Sequence, residues 1–181
     1  MNMVIDYFIK NIKSPQECII GNSNVIIGVK KEKLNIFKNK KYWVSLVIIN
    51  ENEITYNIKN ICEYLINKFQ ENESPNKKIS LDVNWYIFSN IVNKNAYEKI
   101  DIKDNRKYKN MYNRFVLINN INGEIFFNPG KIENNVISDR MKFLYNYYQK
   151  EYPMNDEKEK QFSIEVMHIF EILNMVVYDF K

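Results

Sequence analysis

The single histidine, His168, is the residue to consider first for acid–base or metal chemistry. Glu165 lies three residues before it and Glu171 three after, so a helix would project the three side chains from neighbouring positions. Glu-x-x-His at this spacing is half of a dimetal carboxylate site, which needs a second copy of the motif and two further glutamate-bearing helices. The sequence contains no second copy. We therefore interpret His168 as a solvated surface residue, with a ligand or a general base as the alternative.

The two cysteines, Cys18 and Cys62, lack the short spacing that holds zinc or supports disulfide exchange. Cys62 falls on the apolar face of a predicted helix, where a buried thiol is unreactive. Cys18 precedes Ile19 and Ile20 and is predicted at a core or edge position. Both are interpreted as reduced structural thiols, which are typical of the cytoplasm.

Phosphate and cofactor binding usually need glycine-rich loops, because backbone must approach the anion closely. The four glycines, at positions 21, 28, 123 and 130, are too far apart for a Walker loop or a dinucleotide fingerprint. We predict no cofactor, no metal and no catalytic residue. An unrecognised metal-dependent enzyme built on Asp and Glu stays a third hypothesis, since converging carboxylates leave no sequence motif.

A basic segment at residues 103–114 is the best candidate for nucleic-acid binding. Cations in this segment would follow phosphates while tyrosines stack on bases, as in many single-strand binders. The other interpretation is a solvated loop in a lysine-rich chain, and Asp101 and Asp104 weaken the basic character. The predicted residues of this patch are Lys103, Arg106, Lys107, Tyr108, Lys109, Tyr112 and Arg114.

Two further surfaces lie in the last third of the chain, where residues 131–181 carry seven basic and nine acidic groups. Tyr147 falls off the main stripe of a tyrosine-rich helix, and exposed tyrosines favour interfaces; core packing is the alternative. The acidic segment that follows would attract a basic protein partner, because complementary charge steers association. Its predicted contact residues are Asp156, Glu157, Glu159, Glu165 and Glu171.

The elements that must position these residues follow from hydrophobic spacing. The apolar residues from Val4 to Ile12 recur at helical spacing, which predicts a helix. Short β-branched runs between residues 18 and 58 predict an antiparallel meander of three to five strands. Two of these runs are at residues 34–37 and 54–58. Residues 58–69 show the clearest helical pattern of the chain. Residues 79–87 alternate like a strand, with a helix over 82–93 left open.

The second half begins with a predicted hairpin, formed by residues 115–118 and 124–127 around an Asn-Gly turn. A helix follows Gly130 and ends at Pro153, and Asn155 is placed to cap a long final helix. The chain is thus predicted as one α+β domain over residues 1–181, an antiparallel sheet packed against amphipathic helices, two of them C-terminal.

Composition limits the class of protein. Asn, Ile and Lys fill 79 of 181 positions, which indicates an AT-rich gene and warns against interpreting every lysine as a binding residue. A net charge of +4 does not imply a nucleic-acid or membrane partner. No apolar run approaches the ~20 residues that span a bilayer, and the N-terminus does not resemble a secretory signal. We expect a cytoplasmic protein.

These observations favour a protein that acts through its surface. Our leading hypothesis is a non-catalytic inhibitor, specifically a bacterial immunity protein that neutralises a cognate toxin, such as a nuclease, through the acidic C-terminal segment. The alternative is a nucleic-acid-binding accessory protein of a phage, plasmid or virus that uses the basic segment.

Overall fold

The computed structural model describes residues 3–21, 23–33, 40–49, 54–73, 78–90, 110–127, 134–148 and 154–178. Its helices are α1 (Met3–Lys10), α2 (Ile54–Glu71), α3 (Asn134–Phe143), which continues into a π-helical turn (Leu144–Tyr148), and α4 (Asp156–Tyr178). Its strands are β1 (Gln16–Ile20), β2 (Ser23–Lys33), β3 (Lys40–Ile49), β4 (Ile79–Ser89), β5 (Met111–Asn119) and β6 (Ile125–Phe127).

The six strands form one sheet in the order β1-β2-β3-β4-β5-β6. Its outer pairs are antiparallel, but β4 runs parallel to both β3 and β5. The prediction of an antiparallel sheet is therefore wrong for its centre. Parallel neighbouring strands need a long crossover connection. The connection from β3 to β4 contains α2, and the connection from β4 to β5 is about twenty residues long. Strand patterns in a sequence do not report this direction.

Helices cover both faces of the sheet. Side chains at alternate strand positions, such as Val47, Tyr86 and Val116, join α1, α3 and α4 in one hydrophobic core. The intervening positions, such as Leu46 and Trp85, pack against α2 in a second core. Because β4 lies between these two layers, it is buried from residue 81 to residue 89.

Most predicted elements are present, with two differences. The predicted helix at the N-terminus and the strand at 79–87 are confirmed, so the helix over 82–93 is wrong for its described part. The predicted strand at 54–58 is also wrong, because Ile54 starts α2. Ile58 and Ile61 belong to the stripe that α2 buries, and burial of this stripe outweighs the local β propensity. The predicted strand at 34–37 lies outside the described residues.

The hairpin and the final helix are held by local polar contacts. The side-chain oxygen of Asn119 accepts hydrogen bonds from the backbone N–H groups of Ile121 and Asn122 in the β5–β6 turn. Gly123 has φ +72°, a conformation that favours glycine. At the start of α4, Oδ1 of Asn155 accepts the N–H of Lys158 at 2.9 Å, as the sequence predicted.

Candidate functional site

The five predicted acidic contact residues are distributed around α4. With 3.6 residues per turn, Asp156, Glu157 and Glu171 fall within about 100° of one another on the outward side, and all three are exposed. Glu165 is half-buried, and Glu159 lies on another side of the helix. The structure therefore does not bring the five carboxylates together in one acidic patch.

Glu159 has a structural partner in α1. The hydroxyl of Tyr7 donates a hydrogen bond to Oε1 of Glu159, and the Tyr7 ring packs edge-on against Phe162 at 5.1 Å. Burial raises the pKa of Tyr7 to about 12, and the hydrogen bond and negative charge of Glu159 add to this effect. Glu159 thus connects α4 to α1 and is less suited to a partner contact.

A row of exposed apolar side chains follows one side of α3 and its π-helical turn. Val136, Phe143 and Tyr147 are 52%, 53% and 43% exposed, and Arg140 lies between them at helical spacing. The rings of Phe143 and Tyr147 stack with centroids 5.1 Å apart and an interplanar angle of 9°. We call Val136, Arg140, Phe143 and Tyr147 the aromatic stripe.

Sequence reasoning identified only part of this surface. It placed Tyr147 off the main stripe, whereas Tyr145 and Tyr148 are buried in the core. It missed Val136 and Phe143. Their spacing of seven residues contained the necessary signal, since positions i and i+7 share one helix face. Tyr152 lies outside the described residues.

The aromatic stripe lies beside the first turns of α4. Tyr148, next to Tyr147 in the chain, packs on Phe162 with ring centroids 5.2 Å apart. Nζ of Lys158 lies 6.0 Å from the centroid of the Tyr147 ring. Together the two helices present an apolar centre bordered by the charged first turn of α4, which is the usual anatomy of a protein-binding surface.

The predicted nucleic-acid patch is described only in part. Tyr112 and Arg114 belong to β5, where they point to the same face of the sheet because they are two residues apart. Tyr112 is 62% exposed, and Arg114 is half-buried. The other five predicted residues lie outside the described residues: Lys103, Arg106, Lys107, Tyr108 and Lys109.

Tyr112 and Arg114 join residues of β3 and β4 in a polar cluster. Across the strands, Trp43 is in register with Asp82, and Asp82 with Tyr112. Oδ2 of Asp82 lies 2.6 Å from Nζ of Lys41 and accepts a hydrogen bond from Nε1 of Trp43 at 3.1 Å. We call Lys41, Trp43, Asp82, Tyr112 and Arg114 the polar end of the sheet.

Arg114 has a donor that the described residues leave without a hydrogen-bond partner. Its Nη1 is buried and has no hydrogen-bond partner in the part of the chain that the structure describes. A buried guanidinium nitrogen without a partner is costly, and such groups occur where a ligand or water completes the set of hydrogen bonds. No sequence signal distinguished Arg114 in this way from the chain's other basic residues.

A cleft of roughly 930 Å³ opens on the other face, between the end of α2 and the starts of β4 and β5. Its lining includes Asn67, Gln70, Lys78 and Asn110. Glu73, which also lines the cleft, accepts hydrogen bonds from Lys40 and Tyr42. The lining mixes amides, both charges and apolar groups, and it does not indicate one class of ligand.

The other residues considered for chemistry are separate from these surfaces. His168 is exposed, Cys62 is fully buried, and Cys18 is half-buried with a thiol pKa that burial raises. Across the described ranges, no three His, Cys, Asp or Glu side chains lie close enough to hold a metal ion.

Comparison with known proteins does not assign the chain to a group: no family model, curated protein or solved structure matches it. Within the described ranges, no helix is both long and apolar enough to cross a membrane.

Proposed function

We propose that this chain is a non-catalytic inhibitor, a bacterial immunity protein that binds a cognate protein toxin through the aromatic stripe and the adjoining acidic first turn of α4. The observation that carries the proposal is the stacked, half-exposed pair Phe143 and Tyr147 beside that turn. The proposal keeps the acidic helix as a contact and adds the apolar centre that the sequence did not reveal.

The apolar part of this surface supports a protein partner. Aromatic side chains are enriched in the centres of protein interfaces because each supplies a large contact area at little entropic cost. Phe143 and Tyr147 restrict each other by stacking, so little further ordering is needed on binding. Their exposure leaves both rings accessible to a partner of apolar, concave shape.

The charged part supports a basic partner. Asp156, Glu157 and Glu159 lie in the first turn of α4, where they also interact favourably with the helix dipole. Glu157 is exposed and unlike Glu159 has no described bond to α1, so it is the acid best placed at the rim. Rim charges act mainly on the association rate, and a basic nuclease toxin fits this surface.

The test uses the product of the neighbouring gene in the native locus as the candidate toxin. Co-expression should protect cells from it, and the purified proteins should bind each other. Phe143→Ala and Tyr147→Ala should each weaken binding by roughly 30-fold or more, as expected for interface centres. Glu157→Lys should slow association, and the effect should shrink as salt is raised.

Matched controls are Ile19→Ala, at an exposed apolar position on the edge strand β1, and Glu63→Lys, at an exposed acidic position on α2. Both should bind and protect like the wild type. A neighbouring gene product without toxicity would refute the proposal, as would undiminished protection by the Phe143→Ala/Tyr147→Ala double variant.

A further inference from the structure

We infer that the polar end of the sheet is a binding site for single-stranded nucleic acid. Its cations would contact phosphates, and its two aromatic side chains would stack on bases. The site shares no residue with the interface proposed on α3 and α4, so the two proposals succeed or fail separately.

The aromatic groups are arranged as a platform. Trp43 on β3 and Tyr112 on β5 flank Asp82 of β4 in one cross-strand row, so their backbones lie roughly 10 Å apart. Both side chains project from the same face, and Tyr112 is largely exposed. Aromatic side chains on neighbouring strands of a sheet are a general means of stacking two or three unpaired bases.

The charge at this end is positive. Lys41 neutralises Asp82 through their ion pair, and Lys40 neutralises Glu73 in the same way. Arg114 then remains with an unused donor among the described residues, and guanidinium groups bind phosphate oxygens strongly.

Access to this part of the sheet differs from residue to residue: Tyr112 is exposed, Lys41, Trp43 and Arg114 are half-buried, and Asp82 is buried. The core formed with α1, α3 and α4 includes Val47, Tyr86 and Val116 but no residue of the polar end. The strand positions that continue this face change from apolar to polar at Ser45, Asn84 and Arg114, which are in register. The face therefore continues from an apolar core into a polar region in which Asp82 and Asn84 are buried and Tyr112 is exposed.

Binding is measured by fluorescence anisotropy with a fluorescein-labelled dT20 oligonucleotide at about 50 mM salt, where non-specific complexes of this kind are detectable. Two phosphate contacts, from Lys41 and Arg114, predict a slope of about −1.4 for log K against log salt concentration. Arg114→Gln should reduce the steepness of this slope by about 0.7. Tyr112→Ala should weaken binding roughly 5- to 150-fold.

The matched controls are Tyr147→Ala, an exposed tyrosine on the π-helical turn, and Lys59→Gln, an exposed lysine on α2. Both should bind dT20 like the wild type. Circular dichroism checks that each variant is folded. Because Tyr112 is largely exposed, its replacement by alanine should leave the fold intact.

Tryptophan fluorescence supplies an independent signal. The chain has two tryptophans, and Trp85 is fully buried, so quenching by dT20 reports on Trp43. Quenching should be seen in the wild type and be absent in Trp43→Phe.

Three results would overturn the inference. The first is no change in anisotropy at low salt. The second is undiminished binding by both Tyr112→Ala and Arg114→Gln. The third is equal affinity for a 20-base-pair duplex with no effect of Tyr112→Ala, which would indicate attraction by overall charge alone.

Discussion

Nζ of Lys41 lies 2.6 Å from Oδ2 of Asp82, and the two side chains are only 17% and 7% exposed. The pair joins the neighbouring strands β3 and β4, and its two residues are 41 positions apart in the sequence. The same carboxylate oxygen accepts the indole N–H of Trp43, so one buried acid satisfies two donors.

Asp82→Ala should lower the free energy of unfolding by about 3–5 kcal/mol, because it leaves the Lys41 ammonium largely buried without its counter-charge. Urea denaturation measures this change. Glu63→Ala is the control, since Glu63 forms only an exposed pair with Lys59 at 3.9 Å and should cost less than about 1 kcal/mol. Equal losses in the two variants would show that Lys41 and Asp82 are not a buried pair.

Gly28→Ala tests how closely Gly28 of β2 packs against Ile12, which follows α1. A Cβ at this position would lie 1.9 Å from Cγ2 of Ile12, and overpacking of this kind costs about 1–3 kcal/mol. Ile12→Leu moves the branch away from Cβ and removes that methyl group, so Gly28→Ala should cost less in the Ile12→Leu background. A double-mutant cycle from thermal unfolding measures the coupling, and additive losses would contradict the contact.

Tyr42 should make stability depend on alkaline pH. Burial raises the pKa of Tyr42 to about 12, and its hydrogen bond to Glu73 and the charge of Glu73 add to the effect. The unfolded value is about 10, so the folded state holds the proton more tightly. The resulting stabilisation is complete below pH 10 and is lost as the pH rises through 12.

Tyr42→Phe should therefore lose less stability than the wild type between pH 10 and pH 12, as measured by Tm at each pH. Lysine titration affects both proteins, so the comparison isolates the phenol. Parallel Tm curves over this window would rule out a raised pKa at Tyr42.

Asn155→Ala should destabilise the protein by about 1 kcal/mol, because it removes the acceptor that caps α4 at the N–H of Lys158. Asn155→Asp keeps a capping oxygen and should stay close to the wild type. The urea midpoint is a suitable measure, and equal midpoints for Asn155→Ala and Asn155→Asp would exclude a role for the cap.

Local patterns allowed several elements to be predicted. The stripe that includes Ile61 and Leu65 indicated α2, because burial on one helix side requires spacings of three and four. The Asn-Gly turn before β6 indicated the hairpin, because glycine tolerates the positive φ observed at Gly123. Asn155 indicated the start of α4, since a cap depends on a few adjacent residues.

The candidate surfaces were less predictable. The sequence placed the acidic contacts on one segment, but helical rotation separates Glu159 from Glu157 and directs it to Tyr7. It identified Tyr112 and Arg114 within a basic run, without their neighbours Lys41 and Trp43, which come from a strand about seventy residues earlier.

The sequence by itself determined the α+β class, most helices and strands, and the absence of a recognisable catalytic motif, because periodicity, turns and caps depend on residues within one element. Only the tertiary structure decided that the centre of the sheet is parallel and that Trp43, Asp82 and Tyr112 form one row. It also decided that the aromatic stripe borders α4. These features depend on which distant segments pair, and that choice is made by burial of the whole core.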